Sequence, residues 1–386
     1  MFMSALSEST HLPAYVNHGA NSILRLSFEM KTGVLTPLGV ACKCPNPSFF
    51  TVHPTQNFLF VVSQLSTYRE ENTGVISVLV IEEDSQLSLL DSAPSGGSQP
   101  CFLCLDATAR HLLVANYMGG SVSVLHIGKD GRFRPGITCV QHSGRGVSNS
   151  RQYKPFVHCV TMSPDNRFCI ASDLGQDKLV IYCFDPEIGS LVPHQPASFQ
   201  LRPGAGPRQL VFHPTGVFAY VINELDSTIT ALAWNVQRGA FQELQTVRTL
   251  PEHFSRQNLA AAIKIHPSGR FLYASNRGHN SIAAFSIDSP TGTLSSIEHV
   301  DSGGDRPWDI AIDSAGSYLL AANRSGSLVP FRIALADGKL SRIGRPLEIE
   351  SPVCVCLLEI AQRRFGGHRA DSIKGSNAGC SLAAKS

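Results

Sequence analysis

The chain lacks any strong bias of charge. Its 32 basic and 30 acidic residues leave a formal net charge of +2, which gives no support for a nucleic-acid or membrane partner. Long apolar runs are missing as well: no window approaches the roughly 18 apolar residues needed to span a bilayer. The N-terminal stretch MFMSALSESTHLPAYV has neither a basic segment nor an apolar core, so it does not read as a secretory leader. Cysteine is plentiful, but its pattern excludes the usual frameworks. The 11 cysteines are odd in number, and most sit inside strand-like phrases. Cys42 and Cys44, like Cys354 and Cys356, are spaced to share one face of a strand. Neither pair has a second pair or a His-x-x-x-His partner nearby, so a metal site is not expected. Reduced, buried thiols and a cytoplasmic location are the expectation. Helix signals are also poor, because Gly and Pro punctuate the chain every ten residues or so, as in multi-stranded β folds.

What the chain does have is one phrase, repeated. It reads PSFFTVHPTQNFLFVVSQ from Pro47, PCFLCLDATARHLLVANY from Pro100 and VHCVTMSPDNRFCIASDL from Val157. It returns as PRQLVFHPTGVFAYVINE from Pro207, AAIKIHPSGRFLYASNR from Ala261 and PWDIAIDSAGSYLLAANR from Pro307. Successive starts lie roughly fifty residues apart, the period of a β-propeller blade. Each phrase reads as two strands around a tight turn, followed by a third strand such as STITALAWNV and a shorter fourth such as GTLSSIEHV. Four strands per repeat make a blade.

Six repeats are complete. The N-terminal AYVNHGANSILRLSFEMKTGVLTPLGV matches the last three strands of a seventh, and SPVCVCLLEI supplies the missing first strand. The expectation is an all-β, seven-bladed propeller over residues 13–360, closed by strands from both termini. Residues 1–12 are expected to form a flexible N-terminus. The polar, Gly-rich and aperiodic 361–386 reads as a disordered tail. Nothing in the repeat specifies an oligomer.

In a propeller, the start of strand one and the end of strand two meet near the axis on one face. Repeat comparison places Ser48, Cys101, His158, Arg208, Ala261, Trp308 and Val353 at the start. It places His18, Gln64, Tyr117, Asp173, Glu224, Arg277 and Arg324 at the return. The residue before the return position is usually Asn, as at Asn116, Asn223, Asn276 and Asn323. Ionisable groups concentrate in the third to sixth complete repeats: His158, Asp173, Arg208, Glu224, Arg277 and Arg324. Such clustering reads either as a structural ion-pair network or as an anion-binding acid–base site. His suits proton transfer near neutral pH, and paired arginines suit a carboxylate or phosphate. His53, His213 and His266 precede the Pro of the opposite hairpin and read as turn chemistry. His279 follows Arg277 and could reach a ligand. The longest connection, ITCVQHSGRGVSNSRQYKPF, carries Arg145 and Arg151 and could cover the site.

These residues resemble the seven-bladed propeller lactonases, the 6-phosphogluconolactonase family that includes the fungal-type carboxymuconate lactonizing enzymes. The matching stretches are RQYKPFVHCVTMSPDNRFCIASDLGQDKLVIYCFD, GPRQLVFHPTGVFAYVINELDSTI and FLYASNRGHNSIAAFSID, and the similarity runs from about Pro13 to Leu358. The resemblance puts the family's functional His, Arg, Glu and Arg on His158, Arg208, Glu224 and Arg277, as catalytic residues. Arg151, Asp173, His279 and Arg324 are the expected substrate-binding residues. Two positions depart from the family: Phe156 stands where a His is common, and Ala262 where a Glu is. The implied activity needs neither metal nor cofactor: opening of a small anionic sugar lactone, foremost 6-phosphogluconolactone to 6-phosphogluconate in the pentose phosphate pathway. A carboxymuconate cycloisomerase and a non-catalytic interaction propeller are the alternatives.

Overall fold

Seven antiparallel sheets stand around one axis. The computed structural model describes residues 11–358, and among these there is no helix. Blade 1 is composite: Val355–Leu357 is its innermost strand, followed outward by His11–His18, Ser22–Glu29 and Leu35–Lys43. Blades 2 to 6 begin with the inner strands Pro47–Val52, Pro100–Leu105, Val157–Met162, Pro207–Phe212 and Leu259–Ile265, each a sheet of four consecutive strands. Blade 7 begins at Pro307–Ile312. Its outer edge is broken into Leu340–Arg342 and Leu347–Glu348, which both pair with Ser327–Ile333, so this sheet has five strands instead of the expected four. Pro346, which has no N–H to give a ladder, lies in the break.

Closure follows the expectation from the two orphan termini. Ala14, Tyr15 and Val16 pair with Leu357, Cys356 and Val355. The first strand starts at His11, which pairs with Glu29. Its pairing therefore extends two residues upstream of the expected boundary at 13, because His11 and Leu12 continue the ladder of the Ser22–Glu29 strand. The rest of the 1–12 segment and the whole of the 361–386 segment lie outside the described residues.

Each blade buries both faces against its neighbours, which no blade could do alone. Seven apolar clusters fill the seven blade–blade interfaces. The last of them joins Leu320 and Ala322 of blade 7 to Ala14 and Val16 of blade 1. Polar staples reinforce the side of the ring bearing the inner hairpins. His213 Nε2 is 2.9 Å from the Gly269 carbonyl of the next blade, and His266 Nε2 is 2.8 Å from that of Gly316. His53 instead accepts from the backbone of its own turn, at Thr55 and Gln56. All three histidines are turn and interface chemistry.

One irregularity positions the site. Between the first two strands of blades 2, 3, 4, 5 and 7, the register slips at the second residue of the inner strand: Ser48, Cys101, His158, Arg208 and Trp308. In blade 6 the slip falls between Ala260 and Ile263. A bulge leaves one residue out of the ladder and re-aims its side chain. Here the bulged residues are the start positions read from the repeats.

Candidate active site

The bulged residues and the strand ends opposite them enclose a cleft of about 320 Å³ at one mouth of the channel. Ser48, Cys101, His158, Arg208 and Trp308 line it from the inner strands and Val353 from just before the innermost strand of blade 1, while Gln64, Tyr117, Glu224, Arg277 and Arg324 line it from the ends of the returning strands. His158, Arg208, Glu224 and Arg277 therefore share one cavity, while none of His53, His213 and His266 borders it.

Glu224 is the centre of charge. Arg277 Nη2 lies 2.7 Å from its Oε2, Arg208 Nε 3.2 Å from the same oxygen, and Arg151 Nη2 2.5 Å from Oε1. Burial alone would raise this carboxyl, but Arg277, His158, Arg208 and Arg151 more than offset it and hold Glu224 down at about 2. Arg208 and Arg277 are also tied to backbone: Arg208 Nη1 donates to the Ala261 carbonyl at 2.7 Å, and Arg277 Nη2 to that of Ala260 at 3.2 Å. The Nε–H of Arg208 is buried and points at no acceptor in hydrogen-bond geometry. Trp308 gathers the cations on its indole. The guanidinium carbons of Arg277, Arg324 and Arg208 lie 4.3, 4.7 and 6.0 Å from the ring centroid, within or at the reach of cation–π attraction.

His158 sits beside this cluster. Its depth in the channel wall, then Arg208 and Arg277, push its pKa down to about 3 against the opposing pull of Glu224. It is a neutral imidazole at pH 7. Its Nδ1 is 3.7 Å from Cys101 Sγ, and its ring packs edge-on to Tyr117 with centroids 5.2 Å apart. Burial raises the Cys101 thiol, so Cys101 is no nucleophile. Arg277 is itself lowered to about 10, by burial and then by Arg208, against the pull of Glu224. Four guanidiniums and two carboxylates, Glu224 and Asp309, border the cleft. With His158 neutral, the excess is positive and the missing partner is an anion.

Two expected substrate-binding residues are elsewhere. Asp173 pairs with Val157 and Lys178, as Asn223 pairs with Pro207 and Thr228. It therefore belongs to the Asn position, one residue before the return ring, and Leu174 takes the place that Glu224 and Arg277 hold in their blades. Asp173 is fully buried and does not border the cleft. His279 also turns away: its Nδ1 is 2.7 Å from Ser281 Oγ, and its ring packs on Phe254 at 4.7 Å. Gly278, at φ +140°, redirects the chain there through backbone space that L residues rarely adopt. Arg151 and Arg324 do border the cleft, Arg324 being exposed at its rim.

Repeat comparison put Tyr117 at the return position, but it left Gln209, Leu259 and Asp309 out of both rings. Gln209 and Asp309 each follow a bulged residue, where the other repeats have Phe49, Phe102, Cys159 and Ala262. That polar-for-apolar contrast was legible. Leu259 was not, because it enters through the extra residue that shifts the start of blade 6. Phe156, standing in place of the family's His, packs between Tyr117 and Tyr153 at 5.0 and 5.2 Å.

A sequence profile described as lactonase, seven-bladed β-propeller, matches residues 10–357. The chain belongs to the seven-bladed β-propeller lactonase family. Among its lactonase relatives, the Bacillus subtilis protein named 6-phosphogluconolactonase is 30% identical over 349 residues, covering 90% of this chain and 97% of that one. A Cronobacter sakazakii protein of the same name is 32% identical over 326 residues, covering 84% and 92%. The solved structure of the Pseudomonas aeruginosa periplasmic gluconolactonase superposes with a TM-score of 0.84 at 29% identity, over 91% of this lactonase-family chain and 99% of that one.

Proposed function

We propose that this protein hydrolyses an anionic sugar lactone, with 6-phosphogluconolactone the best-fitting substrate and 6-phosphogluconate the product. The observation that carries this reading is the excess of positive charge at the cleft, four guanidiniums against the two carboxylates Glu224 and Asp309. Buried charge without a partner is costly, and a ligand with an anionic group and a carbonyl that becomes an oxyanion supplies two partners. The names of the relatives point to the same substrate class.

Arg208 and Arg277, which are rigidly tied, suit the carbonyl oxygen, where charge develops as water adds. Arg324 and Arg151, nearer the rim, suit the phosphate. Trp308 offers the sugar ring a flat face. Glu224, with both oxygens occupied by arginines, acts as the counter-ion that fixes them. His158 is the proton carrier: it is already neutral, and an arriving anion offsets the Arg208 and Arg277 charges that suppress its basicity. The water oxygen bonds to the carbonyl carbon while one water proton passes to His158. The C–O bond to the ring oxygen then breaks, and His158 returns that proton to the departing oxygen. The net change is lactone plus water to hydroxy acid. Tyr117, whose phenol is held protonated by burial and then by Glu224, stands by as a further donor.

A cytoplasmic setting belongs to the same reading, since all ten described cysteines are free thiols. Recovery of the native protein from an extracytoplasmic fraction would overturn that part. The test of function is turnover by purified protein of 6-phosphogluconolactone, unphosphorylated gluconolactone and a muconolactone. The phosphorylated lactone should give the highest kcat/KM, above the uncatalysed rate. Preference for the muconolactone would move the reading to cycloisomerase chemistry, and no turnover of any would leave an anion-binding propeller.

A further inference from the structure

One blade has exchanged a structural residue for a carboxylate that grips the loop beside the site. In the blades ending at Asn116, Asn223, Asn276 and Asn323, the Asn amide donates to a Ser or Thr hydroxyl of its own blade: Ser121, Thr228, Ser281 and Ser327 respectively. Asp173 holds the equivalent place in blade 4 and cannot donate when ionised. It accepts instead, from Gln176 of its own turn and from two residues outside it. His142 Nδ1 is 2.7 Å from its Oδ2, Gln176 Nε2 is 2.6 Å from the same oxygen, and the Phe156 N–H is 3.0 Å from Oδ1.

His142 and Phe156 are the first and last residues of the connection between the strands Phe133–Gln141 and Val157–Met162. Both ends of that loop are thus fastened to one carboxylate. Tyr182 OH, 2.8 Å from His142 Nε2, completes a buried chain of Tyr, His and Asp. The middle of the loop is fastened by Gln152, which is fully buried and donates to the Leu174 carbonyl at 2.9 Å and to Asp177 at 2.6 Å. Between these anchors, Arg151 reaches Glu224.

We propose that Asp173, acting through His142 and the Phe156 N–H, is a positioning residue that latches this loop and so fixes Arg151 in the anion site. Its kinetic consequence rests on the reading of Arg151 as a substrate ligand. The latch holds the loop whether or not substrate is present, so it places a cation in advance of binding. An Asn at 173 keeps one acceptor oxygen where Asp has two, so either the Phe156 N–H or the His142 and Gln176 pair loses its carboxylate acceptor, which weakens the latch with little change of volume.

Hydrogen exchange and kinetics on the full chain separate the two claims. Asp173→Asn should speed amide exchange across residues 142–156 while leaving blades 1 and 7 unchanged, and unaltered exchange in the loop would refute the latch. With 6-phosphogluconolactone, Arg151→Met should raise KM roughly tenfold, as loss of a hydrogen bond between charged groups does. Asp173→Asn should raise KM in the same direction with kcat held within about threefold. The double variant should be no worse than Arg151→Met alone, whereas independent, multiplying effects would show that Asp173 does not act through Arg151. A normal KM for Arg151→Met would remove Arg151 from the substrate site, with loop exchange still deciding the latch. Should Asp173→Asn fail to fold, His142→Gln carries both measurements with the same expected signs.

Discussion

Glu224 and His158 are perturbed in the same direction by the same neighbours, and the consequences differ. Glu224 titrates at about 2 against an ordinary 4.5, so its contribution to stability is present above pH 4.5 and is lost as pH falls toward 2. His158 titrates at about 3 against 6.5, so the unfolded chain binds its proton first, and stability falls as pH drops from 6.5 toward 3. A plot of Tm against pH should therefore decline from about 6.5 downward. His158→Gln should remove its share of that decline, from about 6.5 down to about 3, and leave the Glu224 share between about 4.5 and 2. An unchanged slope in the variant would show that His158 is not the suppressed base described above. Glu224→Ala should cost about 3–5 kcal/mol, because it strands buried guanidiniums without a counter-ion. Arg324→Ala, exposed at the rim, should cost at most about 0.5 kcal/mol. Urea unfolding of the two variants checks that contrast.

At the scale of strands and turns, the bulge explains both what could be read in advance and what could not. Repeat comparison identified His158, Arg208 and Trp308 because the inner strands of blades 2 to 7 divert the corresponding residue from the ladder. It also separated His213 and His266 from the site, since a His before the hairpin Pro recurs where no ligand is expected. It failed at Asp173 by one residue. Repeat comparison sets Asp173 level with Glu224 and Arg277, but the ladder pairs Asp173 with Val157 as it pairs Asn223 with Pro207. His279 failed for a related reason: its position follows Arg277 in sequence, but the Gly278 turn points it outward. Arg151 was reachable only as a residue on a long loop. The anchors that deliver it, His142 and Gln152, carry no periodic signal. As a check on the aligned positions, His213→Ala should keep wild-type turnover within about twofold while lowering Tm modestly, because its bond to Gly269 lies on the inner-hairpin side of the ring. A large loss of kcat in His213→Ala would contradict the separation.

The whole molecule is a ring, and its rigidity rests on closure. The three residues Val355–Leu357 provide the innermost strand of blade 1, and the seventh apolar cluster depends on them. A chain ended before Ser351 should melt roughly 10 °C or more below one ended after Gln362, since it loses an interface and exposes two edges. Equal melting would mean that the ring does not need its terminal strand. Closure matters to the site because residues from all seven blades line it, so any opening disperses the four guanidiniums. The most direct test of the account is steady-state turnover of 6-phosphogluconolactone by the wild type, Arg208→Ala and Arg277→Ala. The account predicts wild-type turnover well above background, with kcat falling ~100-fold or more in each variant and the fold retained. Wild-type turnover that survives both substitutions would contradict it and place the chemistry elsewhere.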